Sequence, residues 1–225
     1  MKVEIWSDVV CPWCYIGKRR FEEALAQFDH GDEVEVAWRS FELDPAGPRH
    51  REGDYVSCLA EKYGVDRDEA QAMVDRITDT AERVGLEFRF DRARPGNTFD
   101  AHRLLHLAAE RGVQNELKER LLRATFTEGA PIGDPETLVA LAAEAGLDAD
   151  EARQVLAGDD YADAVRADER EAQALGARGV PFFVIDRRYG VSGAQASDLF
   201  VEALERAWAD AHPPEHEPAA APAPA

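Results

Sequence analysis

Lys2-Val3-Glu4-Ile5-Trp6-Ser7-Asp8-Val9-Val10-Cys11-Pro12-Trp13-Cys14-Tyr15 decides the fold of this chain. Lys2 to Trp6 alternate like a half-buried strand. From Tyr15 to Phe28, the residues Ile16, Phe21, Ala24, Leu25 and Phe28 recur near helical spacing. The two cysteines, three apart, stand where a strand passes into a helix. The first sulfur lies at the helix N-terminus, where unpaired N–H groups and the positive end of the dipole favour a thiolate. Pro12 suits the first turn, where its missing N–H removes no helical bond. A C-x-x-C alone reads as a redox dithiol or as half a metal site. With no second pair in the sequence and a strand–helix setting, Cys11 and Cys14 read as the redox dithiol, and no metal is expected.

Working outward, Glu33-Val34-Glu35-Val36-Ala37-Trp38 alternates again, so the chain opens as strand, helix, strand with a parallel pair. From Asp44-Pro45 to about Gly176 the signal is helical. Ala70, Met73, Val74, Ile77, Ala81 and Val84 form one apolar stripe. Asn97-Thr98 caps a helix carrying Leu104, Leu105 and Leu107, and Leu117, Leu121 and Leu122 mark the next. Asp134-Pro135 starts another, which Gly146 stops; Asp148 with Glu151 resembles a capping box, and Tyr161 to Leu175 makes a long last helix. Strand character returns at Phe182-Phe183-Val184-Ile185, with Tyr189-Gly190-Val191 as its partner. An amphipathic helix through Leu199, Phe200, Ala203, Leu204, Ala207 and Trp208 follows. The expected class is α/β: one four-stranded mixed sheet from the two flanks, 1–43 and 177–210, with an all-helical insertion over 44–176. Residues 211–225, rich in Pro, Ala and Glu, are expected to be disordered.

The 225 residues carry a formal charge of −19, which speaks against nucleic acid and anionic membranes as partners. No run of about 18 apolar residues offers a membrane span. A complete product that passes from Met1 straight into a strand, with three cysteines in all, is expected in the cytoplasm. The acidic, lysine-poor surface fits high-salt adaptation and arginine-rich coding bias equally well. Either way, negative charges repel one another over ~10 Å at 0.1 M salt. The melting temperature should rise between low and molar sodium chloride. A continued steep rise above about 1 M, where screening is largely exhausted, would select halophilic adaptation. A flat profile would reject the whole electrostatic argument.

The motifs Ser7-Asp8-Val9-Val10-Cys11-Pro12-Trp13-Cys14, Trp38-Arg39-Ser40-Phe41-Glu42-Leu43-Asp44-Pro45, Asn97-Thr98-Phe99-Asp100-Ala101-His102-Arg103, Gly179-Val180-Pro181-Phe182-Phe183 and Val191-Ser192-Gly193-Ala194-Gln195 together resemble the DsbA-like branch of the thioredoxin superfamily, most closely its FrnE-type cytoplasmic oxidoreductases. The resemblance implies a thioredoxin fold with a helical insertion and thiol–disulfide exchange on protein or small-molecule disulfides. It implies Cys11 as nucleophile, Cys14 as resolving thiol, and a cis Val180–Pro181 bond beside Cys11. The only redox group would be the Cys11–Cys14 disulfide, with no bound cofactor and glutathione as a candidate co-substrate. Val180 offers its backbone to an extended polypeptide or to glutathione, and Trp13 makes a platform at the mouth. Asn97, Thr98 and His102 would lie near the cleft. Relatives with serine where Cys11 stands, the kappa-class glutathione transferases and hydroxychromene carboxylate isomerases, define the alternative activity. A chaperone-like binding module is the non-enzymatic alternative, and a homodimer is the expected assembly.

Other residues read less sharply. Asp8 serves either in proton transfer or as a loop cap. Lys18 reads better as solvent-facing than as a source of positive potential at the site. His102 and His106, at i and i+4, read as packing or site-wall residues, and Cys58 as a partly buried helical thiol.

Overall fold

The computed structural model describes residues 1–94 and 96–213. Strand β1 (Lys2–Ser7) leads into helix α1 (Pro12–Gln27) and then strand β2 (Glu35–Ser40). Seven α-helices follow among the described residues: α2 (Tyr55–Tyr63), α3 (Arg67–Glu82), α4 (Phe99–Glu110), α5 (Gln114–Arg123, continued by a π-helical turn over Ala124–Glu128), α6 (Pro135–Glu144), α7 (Ala149–Ala157) and α8 (Ala162–Ala174). The chain closes with β3 (Phe182–Ile185), β4 (Tyr189–Ser192) and α9 (Ser197–Ala211). The sheet order is β2-β1-β3-β4, with β1 and β2 parallel and the other pairs antiparallel. This is a thioredoxin-like α/β fold.

Alternation along β1 sorts its side chains between two layers. Val3 and Ile5 join Phe183, Ile185 and Val191 beneath α1 and α9, whose Phe21, Ala24, Phe200 and Leu204 complete that core. Each fully buried Val, Ile, Leu or Phe among them contributes about 1.5–3 kcal/mol of transfer free energy. Trp6 faces the other way, with Phe182, Val184 and Ala172 of α8, and its indole N–H donates to the Asp168 carbonyl at 2.8 Å. The helices between β2 and β3 bury two further cores. One, from α4 to α7, takes in Val9 of the β1–α1 loop; the other, around α2 and α3, takes in Tyr15 and Ile16 of α1. Both therefore close on the segment that carries the cysteines.

Several expectations shift in register. The second strand begins at Glu35 rather than Glu33, because Gly31–Glu33 closes a 3₁₀ turn, with Val34 N–H bonded to Gly31 O. It runs on to Ser40, which pairs with Ser7 and gives its N–H to the Asp168 carboxylate. Helix α3 ends at Glu82, before Val84, whose N–H closes a turn on Ala81, while its side chain still packs on the same core. The capping box at α7 is one-sided. Asp148 accepts from the Asp150 and Glu151 N–H groups, but the Glu151 carboxylate turns to Arg111. The expected disordered tail lies outside the described residues, except that Ala211 ends α9 and is followed by His212 and Pro213.

Candidate active site

Cys11 is the N-cap of α1, with extended backbone angles and no side-chain cap bond, and Pro12 follows at the first helical position. The loop before it folds back so that the Cys11 N–H bonds to Asp8 O at 3.3 Å. Cys14 lies one turn in, its N–H bonded to Cys11 O at 3.0 Å. Both are free thiols, buried to 4% and 1% exposure, while Trp13 between them is 40% exposed. Burial, with the Cys11 sulfur next, pushes the Cys14 thiol well above the ordinary cysteine range; Lys118 and the Asp8 backbone N–H oppose this.

The Val180–Pro181 bond is cis, and the Cys11 thiol donates to the Val180 carbonyl at 3.5 Å. Gly193, at φ +81°, gives its N–H to Pro181 O at 2.8 Å. Arg20 of α1 then donates to the Ala194 carbonyl at 2.6 Å. The Val191–Gln195 motif is thus a clamp that holds the proline against α1. Gly17 makes that contact close. A Cβ there would lie 2.9 Å from Pro181 Cγ and 3.4 Å from Ala194 Cβ. Gly17→Ala should gain about 1 kcal/mol of helix propensity but lose about 1–3 kcal/mol to overpacking. Its melting temperature should therefore fall, and its disulfide exchange should slow. A higher melting temperature would show that the proline yields.

Beneath the thiols lies a buried polar cluster. Asp8 accepts from the Leu43 N–H at 2.7 Å and faces His102 Nε2 at 3.4 Å, both side chains being fully buried. Burial pushes the Asp8 carboxyl up, yet His102, the Leu43 N–H and Lys118 outweigh it and leave its pKa lowered. His102 Nδ1, Glu42 Oε1 and Ser7 Oγ are buried without a hydrogen-bond partner among the described residues. Glu42 bonds Arg166 through Oε2, and its carboxyl is raised by burial despite that arginine. The Trp38–Pro45 motif is hereby accounted for: Arg39 and Ser40 dock on Asp168, Glu42 on Arg166, and Leu43 on Asp8. His106 joins the same hub, 3.1 Å from Ser40 Oγ and 3.2 Å from Asp168.

Asn97 caps α4 from one residue further out than its N-cap, Thr98: Asn97 Oδ1 accepts from the Phe99 N–H at 3.0 Å, while the buried Thr98 makes no side-chain cap. The Asn97 N–H bonds to Pro48 O, which ties the segment after β2 to α4. Beside it a cavity of ≈ 440 Å³ runs from Val10 and Gly96 past Tyr55 and Cys58 to Arg51 and Lys62. It meets the site at Val10; Asn97, Thr98 and Trp13 are not among its lining residues. Cys58 points its sulfur at Glu52 O, 3.6 Å away, and burial raises its thiol.

Two lysines depart from the sequence reading. Lys18 does not face solvent: it is 2% exposed and paired with Glu22 and with Glu119 of α5, at 2.8 Å to the latter. Lys118 escaped the sequence reading altogether. It is fully buried, with Nζ 3.3 Å from Ser7 O and 5.5 Å from the Trp38 ring centroid. Burial, against the pull of Cys14, Asp8 and Cys11, brings its pKa down to about 8. The available signal was its place beside Leu117, Leu121 and Leu122 on one apolar helix face.

A family profile described as the DSBA-like thioredoxin domain matches residues 2–205. The chain belongs to that family. It is similar to a probable DsbA oxidoreductase from Streptomyces coelicolor, with 53% identity, a TM-score of 0.89 and coverage of 93% of this chain and 91% of that one. It is 32% identical over 204 residues to the uncharacterized protein YwbO of Bacillus subtilis strain 168, covering 90% of this chain and 94% of that protein. The cytosolic disulfide reductase DsbM from Pseudomonas aeruginosa, solved with GSH, shares the fold at 20% identity and a TM-score of 0.64, covering 92% and 98% of the two chains. Among the described residues, no helix is long and apolar enough to cross a membrane.

Proposed function

We propose that this DsbA-like protein is a FrnE-type, cytoplasmic thiol–disulfide oxidoreductase acting on protein or small-molecule disulfides, with glutathione as a co-substrate. The observation that carries the reading is the placement of the two free thiols on the first turn of α1, with Cys11 against the Val180 carbonyl. The Cys11 thiolate attacks a substrate disulfide, forming a Cys11–substrate disulfide and releasing one substrate thiolate, which takes up a proton. Cys14 then attacks the Cys11 sulfur. The Cys11–Cys14 bond forms, the second substrate thiolate leaves, and two electrons have passed to the substrate. The steps reverse when the oxidised pair donates its disulfide. Val180, whose N–H makes no backbone bond among the described residues, would pair with substrate backbone, and Trp13 would form the outer wall.

The glutathione-bound DsbM supports glutathione as the partner thiol. The test is turnover of a small aromatic disulfide with glutathione, together with the Cys11–Cys14 reduction potential. Catalysed exchange that requires both cysteines is the expected result. A chain whose two thiols cannot be interconverted with a disulfide by glutathione would overturn the reading.

A further inference from the structure

Gly17, Arg20 and Glu23 of α1, spaced three apart, lie along one stripe of the helix, and all three meet the segment that joins β4 to α9. The missing side chain at Gly17 lets Pro181 and Ala194 come close, as the 2.9 Å and 3.4 Å to a Cβ placed there record. Arg20 Nη1 donates to the Ala194 carbonyl at 2.6 Å, the one hydrogen bond of its side chain among the described residues. The Glu23 carboxylate accepts from the Ser197 hydroxyl at the start of α9. Within the segment, the Gln195 N–H bonds to Gly193 O at 3.0 Å and the Gln195 side chain to Ser192 O at 2.7 Å. Gly193 gives its N–H to Pro181 O at 2.8 Å, and the carbonyl of the preceding Val180 accepts from Cys11 at 3.5 Å. These contacts close a ring. It runs from Cys11 along α1 to Arg20, across to Ala194, through Gly193 to Pro181 and Val180, and back to Cys11.

Resting on the dithiol reading above, we infer that Arg20 is a positioning residue for polypeptide substrates: through the Ala194 carbonyl it holds the Val180 backbone in register with Cys11. It does so from a distance. Nine residues at about 1.5 Å each put Arg20 about 13 Å along the helix from Cys11, so it does not touch the reacting atoms. The tie matters most after attack. In the free protein the Cys11 thiol is itself a link in the ring, because it donates to Val180 O. Once Cys11 carries the substrate sulfur it has no proton to donate, and that link is gone. Arg20, Glu23 and the close packing at Gly17 are what still tie the segment to α1. A substrate with a peptide backbone needs Val180 in that place, because its main chain pairs there. A small aromatic disulfide has no main chain and needs only the Cys11 sulfur. The chemistry of the tie is simple: Ala194 O takes a single charged N–H, so the two-pronged geometry particular to arginine is not used. The bond-making steps of exchange are unchanged, and Arg20 neither gives nor takes a proton in them.

The experiment compares two chromogenic substrates: a symmetrical nitroaromatic disulfide, and a short peptide whose single cysteine carries the same nitroaromatic thiol in a mixed disulfide. With Arg20→Met, kcat/KM for the peptide should fall about tenfold relative to that for the aromatic disulfide, the scale for losing one charged hydrogen bond. The loss should sit in KM rather than in kcat. Arg20→Lys restores a charged donor and should bring the ratio back to within about threefold of wild type. An unchanged ratio, equal losses on both substrates, a loss confined to kcat, or no recovery with lysine would leave Arg20 a merely structural residue and overturn the inference. A second readout needs no Arg20 variant. In the wild-type chain with Cys11 alkylated by iodoacetamide, the Gly193 amide should exchange with solvent within about threefold of its rate in the untreated chain, because the tie to α1 outlasts the thiol. Exchange faster by about tenfold or more would show that the thiol, not Arg20, holds the segment, and would overturn the inference even if neither variant folds. Failure of the dithiol reading is recognised separately: the wild-type chain would then release no nitroaromatic thiol from either substrate.

Discussion

Cys14→Ser should accumulate covalent adducts with its substrates, whereas Cys11→Ser should lose disulfide exchange by on the order of 10³-fold or more. The two outcomes differ because the sulfurs sit in different places on the same turn. Cys11 is the N-cap, its thiol against the Val180 carbonyl, where an extended substrate would lie. Cys14 is 1% exposed, and burial and its neighbour hold it protonated. Removing Cys14 leaves attack intact and deletes the release step, so adducts build up and survive a non-reducing gel. Removing Cys11 leaves a buried thiol that substrates cannot reach. Serine at position 11 also recreates the residue that the resemblance assigns to the glutathione-dependent isomerases and transferases. Full activity of Cys11→Ser toward the natural substrate would sink the dithiol mechanism and put the isomerase reading in its place. Cys58, half-buried with its sulfur on a carbonyl, should not substitute for either.

What could be read from the sequence was what local periodicity encodes. The strand–Cys-Pro-Trp-Cys–helix junction, the apolar stripes of α3 and the return of strand character at Phe182 each specify an element within a short window, and the sheet follows from their order. Element ends were less legible, because a tertiary bond often decides them. Ser40 stays in β2 through Asp168, 128 residues away. Glu151 leaves its own helix start for Arg111, 40 residues away. The buried charges were least legible. Lys18 looks like an ordinary surface lysine until Glu119 of α5 is brought beside it. Lys118 gains its meaning only when α5 docks against the end of β1. Asp8, too, takes its place from distant partners: its backbone carbonyl accepts from the Cys11 N–H and its side chain holds Leu43, 35 residues away.

That position makes the loss of Asp8 strongly destabilising. Its carboxylate is fully buried, accepts from the Leu43 N–H at 2.7 Å and faces His102 at 3.4 Å, with Lys118 near enough to lower its pKa. Asp8→Ala leaves those groups unpaired in a dry interior, a change that costs about 3–5 kcal/mol. Asp8→Asn keeps an acceptor for Leu43 and loses only the charge, so about 1–3 kcal/mol is expected. The sign of the pH dependence is fixed by the direction of the shift. A carboxyl whose folded-state pKa lies below 3.8 adds stability that is fully present above that value and is lost as the pH falls through the folded-state pKa. The difference in unfolding free energy between wild type and Asp8→Asn should therefore be constant from about pH 7 to pH 5 and shrink below about pH 4. Denaturant titrations at a series of pH values measure it directly. A difference that persists undiminished at about pH 2.5 would mean that Asp8 acts through shape and hydrogen bonding alone, and that its charge does not hold the cluster beneath the thiols together.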